Sequence, residues 1–136
     1  MNVVQDRRGT AIIEFVLTFI LFASLVFSLF ILGIYGIGNI FVQEAAHTAA
    51  QEYAVTLDYY EAMNASKNIL QKWAYPFVNV NTANILIQRT DRDNVFAQVR
   101  AEPKLRKLYI FTVPDIVKTS RCVAEYRFRH PEEFNW

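Results

Sequence analysis

Residues 15–40 read FVLTFILFASLVFSLFILGIYGIGNI, and this run decides what kind of protein the chain is. No Asp, Glu, Lys or Arg stands between Phe15 and Gln43. At about 1.5 Å per residue, roughly 20 helical residues cross the hydrocarbon of a bilayer, so the run spans it with residues to spare. It is too long and too evenly apolar for the core helix of a soluble domain. It also exceeds the roughly 7–15 apolar residues of a secretory signal, and no small-residue cleavage site follows it. Arg7 and Arg8 precede the run, whereas Gln43 and Glu44 follow it. The excess of basic residues on cytoplasmic flanks therefore places residues 1–9 inside and everything beyond about residue 40 outside.

The rest of the 136 residues reads as an ordinary soluble domain. A net charge of +1 gives no reason to expect a polyanionic partner, and no nucleic acid is expected. The single cysteine, Cys122, excludes an intramolecular disulfide and reads as a small buried apolar residue. A domain this small without a disulfide needs other support, which a membrane or a filament of neighbours supplies.

Glu14 breaks the pattern, because a carboxylate at the mouth of an apolar run is costly unless it is compensated. Taken alone it could be a first-turn carboxylate favoured by the helix dipole. Its neighbours add to this. Arg7-Arg8-Gly9-Thr10-Ala11-Ile12-Ile13-Glu14-Phe15, followed by the apolar helix, resembles a class III signal peptide, in which a cytoplasmic-face peptidase cuts after the glycine. A glycine lets the backbone enter a peptidase cleft without a side chain. The new amine at Thr10 has an ordinary pKa of about 8, so it is mostly protonated. Glu14 falls at the fifth mature position, where the amine of its own or a neighbouring subunit can pair with it.

The pattern G-x-x-x-x-E-F close behind Arg-Arg is similar to the TadE, TadF and TadG group of tight-adherence pilus systems. Thr10 at the first mature position departs from the Phe usual in type IVa pilins. Major Flp pilins usually carry Tyr after the glutamate and are much shorter. The chain therefore resembles a TadE-like minor pilin, or pseudopilin, of the Flp-type pilus. The resemblance implies processing at Gly9 and Thr10, with Glu14 and Phe15 serving recognition and assembly and Arg7 and Arg8 setting topology. It also implies four partners: a prepilin peptidase, other pilin subunits, an inner-membrane assembly platform and membrane lipid. The implied location is the bacterial inner membrane, with the C-terminal domain periplasmic or in a surface pilus. The competing reading is an uncut single-span subunit of a secretion or conjugation envelope complex.

Beyond the run, Gly33, Gly36 and Gly38 can serve a bend or a close approach, or can be simply the glycines common in membrane helices. Phe41, Ala45, Ala49, Tyr53 and Leu57 recur every fourth residue beside Val42, Ala46, Ala50 and Ala54. One helix from about residue 11 to 55 follows. Asp58 and Glu61 have the spacing of a capping box opening a second helix to about Trp73, with Ala62, Met63, Ser66, Ile69, Leu70 and Trp73 as its apolar stripe. Residues 84–89 (NILIQR) and 95–101 (VFAQVRA) flank the polar turn 90–94 as a hairpin. Residues 119–128 alternate as a half-buried strand, and residues 108–111 are a further strand or a covering loop. The expected class is α+β. Residues 1–9 form a leader and 10–57 a transmembrane and extended helix. Residues 58–136 form a second helix with a three- to four-stranded antiparallel sheet, in a pilin-like lollipop.

Nothing points to an enzyme. His47 and His130 have no ligand-spaced partner, and phosphate loops and nucleophile elbows are absent. Asp91 and Asp93 read as turn formers, short of a calcium loop. Lys104-Leu105-Arg106-Lys107 is a basic cluster, either a solvated loop or a contact for anionic lipid or an acidic partner. No cofactor or metal is expected.

Overall fold

The computed structural model describes residues 3–90, 93–108 and 111–133, with the side chains of residues 3–8, 108, 111, 127 and 131 excepted. Asp91, Tyr109, Ile110 and Trp136, and the side chains of Arg7 and Arg8, therefore lie outside the described part. The chain is α+β and divides into two compact units, residues 1–34 and 35–136.

Helix α1 runs Val3–Thr56 without interruption, starting upstream of the expected residue 11 and ending one residue past the expected 55. Between residues 11 and 34 nearly every apolar side chain is exposed. In the second unit the two four-residue series of α1 merge into one buried stripe. Val42, Ala45, Ala46, Ala49, Ala50 and Ala54 are all closed off, with Phe41 and Tyr53 at its margins. Gln43, Glu44, His47 and Gln51 stay exposed on the other faces.

Thr56 ends α1, and Leu57 takes a left-handed φ of 54° to redirect the chain. For a residue with a Cβ this costs about 1–2 kcal/mol. Asp58 then caps helix α2, Tyr59–Ile69, its Oδ1 accepting from the amides of Tyr60 at 2.7 Å and Glu61 at 3.3 Å. Only half of the expected capping box forms. The Asp58 amide donates to Thr56 Oγ1 at 3.1 Å rather than to Glu61, because the turn at Leu57 brings that hydroxyl closer.

The helix continues as a wide π-turn over Leu70–Ala74. This alters the expected stripe. Ala62, Ser66, Leu70 and Ala74 are the buried members, and Trp73 is 53% exposed. The i→i+5 spacing of the last turn slows the rotation per residue, so Ala74 stays in line with Leu70.

Strands β1 (Val78–Arg89), β2 (Asn94–Pro103) and β5 (Ile116–Val123) form an antiparallel sheet in the order β1-β2-β5. The predicted hairpin is present, pairing Asn84 with Arg100 and Arg89 with Val95. Towards its start β1 is irregular: residues 80–83 stand opposite Ala101 alone. Val95, Ala97, Val99 and Ala101 of β2 alternate into the core with Ile85, Ile87 and Ile116. Between β2 and β5, Lys107–Leu108 (β3) and Phe111–Thr112 (β4) form a separate two-stranded ribbon.

The strand expected over 119–128 is shorter and lies further upstream. It ends at Val123, whose partner Asn94 is the first residue of β2, so no ladder exists beyond it. Ala124 donates its amide to the Asp93 carbonyl at 2.7 Å, and Glu125–Arg129 turns into a short helix, α3. Ser120 and Cys122 sit on the inward face of β5, whereas Tyr126 and Phe128, which would continue the alternation, belong to α3.

Candidate functional site

The residues singled out from the sequence, 7–10, 14 and 15, lie along about two and a half turns of α1. Gly9 and Thr10 are exposed helical residues, and Phe15, 70% exposed, stacks on Phe19 with ring centroids 6.3 Å apart. A Cβ built on Gly9 would meet nothing within 4 Å, and no glycine in the chain has a positive φ. Neither space nor backbone conformation requires glycine at position 9, and glycine inside a helix costs about 1 kcal/mol relative to alanine.

Downstream, the polar side chains of the apolar run are satisfied within the helix. The hydroxyls of Thr18, Ser24 and Ser28 each donate to the carbonyl four residues earlier at 2.8 Å. The Asn39 amide donates to the Tyr35 carbonyl at 2.9 Å. An ionised carboxylate has no proton to donate and cannot use this device. Glu14 is exposed, and among the described residues no hydrogen-bond or ion-pair partner reaches its carboxylate. Its backbone carbonyl accepts from the Thr18 hydroxyl at 2.8 Å.

The three glycines near the end of the run separate. Gly33 and Gly36 face open space. Gly38 is buried, and a Cβ there would stand 3.4 Å from Ile116 Cδ1, 3.4 Å from Val78 Cγ1 and 3.5 Å from Phe77 Cβ. Gly38 is thus the close-approach position, where the folded domain first packs on the helix.

Around it lies an aromatic and basic grouping that the linear sequence does not bring together. Phe41 stacks between Trp73 and Phe77, at 6.5 and 5.9 Å. The Lys104 amide donates to the Phe77 carbonyl at 3.0 Å, and Lys104 Nζ lies 3.7 Å from the Tyr75 ring centre. Of the basic cluster, Arg106 is paired with Glu102 at 3.2 Å and with Asp115 at 3.9 Å, and all four residues are exposed. The one signal in the sequence was the density of aromatics at residues 73–77.

Cys122 is free and only partly buried, short of the burial expected. Desolvation raises its thiol pKa, opposed in part by a hydrogen bond with Ser120. Ser120 Oγ also lies 3.2 Å from His47 Nδ1 of α1. Among the described residues no group of three or more His, Cys, Asp or Glu is placed to hold a metal ion. Among the described residues one helix is long and apolar enough to cross a membrane. No family model matches the chain, and no curated protein or solved structure matches it.

Proposed function

We propose that this chain is a TadE-like minor pilin, anchored by residues 15–40 with its N-terminus cytoplasmic, cut by a prepilin peptidase after Gly9, and assembled with other pilin subunits. The observation that carries the reading is Glu14. It is a carboxylate directly at the start of an apolar run whose Thr, Ser and Asn side chains are bonded within the helix, and it has no partner among the described residues. Packed among other apolar helices, an unpaired carboxylate would oppose assembly. The amine released at Thr10 lies one helical turn away in the chain and supplies the missing cation, from the same subunit or from a neighbour. Gly9 supports the same reading, since the fold has no use for a glycine there and a peptidase cleft does.

The test is mass analysis of the N-terminus of the chain isolated from its host, with two variants alongside. The wild-type chain should begin at Thr10, and Gly9→Val should accumulate as full-length precursor. Glu14→Gln should insert and be cut normally, yet its crosslinking to other pilin-like subunits should fall by roughly ten- to a hundredfold. A wild-type chain that begins at Met1 overturns the cleavage. Undiminished crosslinking of Glu14→Gln reduces Glu14 to a helix-start carboxylate.

A further inference from the structure

We propose that the rim of the folded domain around Gly38 and Phe41 is a lipid-contacting surface, seated on the anionic headgroups of the membrane that anchors the chain. The inference rests on reading residues 15–40 as a membrane span. Beginning at Phe15, 20 residues at 1.5 Å each exhaust roughly 30 Å of hydrocarbon by Ile34. Residues 35–39 then rise through the headgroup layer, which adds roughly 5–8 Å on each side, and Ile40 and Phe41 emerge at its outer edge. Those residues belong to the same compact unit as the sheet. The domain is packed against this very turn of helix, through Gly38 and through the Phe41 stack. Whatever is held there stands at the outer edge of the headgroups.

What is held there suits that layer. Ile40 is 66% exposed, Trp73 53%, Tyr75 61% and Leu105 46%, so apolar and aromatic side chains are available there to a lipid surface. Trp and Tyr concentrate at membrane interfaces because one part of the side chain is apolar and the other wet. The charges fit as well. Lys72 Nζ lies 5.8 Å from the Trp73 ring and Lys104 Nζ 3.7 Å from that of Tyr75. Of the acidic side chains in this region, Asp115 is paired with Arg100 at 2.7 Å and with Arg106, and Glu102 with Arg106, while Glu44 is exposed on α1; Lys72, Arg100, Lys104, Arg106 and Lys107 outnumber these three. The rim therefore presents aromatic rings with a positive excess, which fits an anionic bilayer surface.

The experiment uses the full chain in vesicles of phosphatidylcholine, with or without one third phosphatidylglycerol, containing lipids brominated at shallow or deep acyl positions. Trp136→Phe leaves Trp73 as the sole tryptophan. Its emission should be quenched more by shallow than by deep bromines, and more strongly when phosphatidylglycerol is present. Each lysine at an anionic surface is worth roughly fivefold in association, so Lys72→Gln with Lys104→Gln should remove the dependence on phosphatidylglycerol. Phe22→Trp in a Trp73→Phe, Trp136→Phe chain reports separately on the span and should be quenched by deep bromines. Deep quenching at position 22 without quenching of Trp73 overturns the rim and leaves the span standing. No quenching at either position overturns both. Quenching of Trp73 that follows protein density, or that is indifferent to phosphatidylglycerol, assigns the face to another occupant and overturns the proposal.

Discussion

Gly38 offers a test in which one added carbon and three added carbons should act with opposite sign. The position is helical and fully packed, and its hypothetical Cβ lies at 3.4–3.5 Å from Ile116 Cδ1, Val78 Cγ1 and Phe77 Cβ. Those are ordinary contact distances, and the two nearest atoms are ends of side chains that can yield slightly. Gly38→Ala therefore gains helix propensity of about 1 kcal/mol. It also gains up to about 0.8 kcal/mol from burying a methyl group. For a domain of about 100 residues, each kcal/mol moves the thermal midpoint by roughly 4–8 °C. Gly38→Val pushes two further carbons into the same atoms and overpacks the site, at about 1–3 kcal/mol. Gly36, with nothing within 4 Å, should accept both substitutions without the reversal. Thermal unfolding of the full chain in detergent, followed by far-ultraviolet circular dichroism, reads all four variants. If Gly38→Ala and Gly38→Val shift the midpoint in the same direction by similar amounts, the domain does not pack on the helix at this residue.

Two further predictions concern α2. Asp58→Ala removes the oxygen that accepts from the Tyr60 and Glu61 amides, and should lower stability by about 0.5–2 kcal/mol in the same melting assay. An unchanged midpoint would mean that Thr56 and solvent hold this helix start. Ser66 is wholly buried and its Oγ has no hydrogen-bond partner among the described residues, so Ser66→Ala should be neutral or stabilising by about 1 kcal/mol. A clear loss of stability on denaturant unfolding would show that the hydroxyl has a partner after all.

Much of this protein is legible in order along the chain. An uncharged run of 26 residues reads as a helix long and apolar enough to cross a membrane, where a helix satisfies its own backbone. The four-residue spacing of Ala45, Ala49, Val42, Ala46, Ala50 and Ala54 belongs to the same local physics, as do the cap at Asp58 and the hairpin about residues 90–94. So does the motif of Gly9, Thr10, Glu14 and Phe15, whose members are close on one helix because they are close in sequence. The last strand could not be read this way. Alternation at 119–128 continues past Val123, but a strand needs a partner, and β2 supplies none beyond Asn94. Likewise Trp73 fits an ideal helical stripe, and only the π-turn that packs Ala74 inward leaves the indole outside. Three glycines look alike in sequence, yet only Gly38 has a sheet and a loop against it, because that depends on residues 77, 78 and 116 arriving from far along the chain. The rim of Phe41, Trp73, Tyr75 and Lys104 arises in the same way. Periodicity records what each segment wants from its surroundings, whereas long-range packing decides which segment provides it.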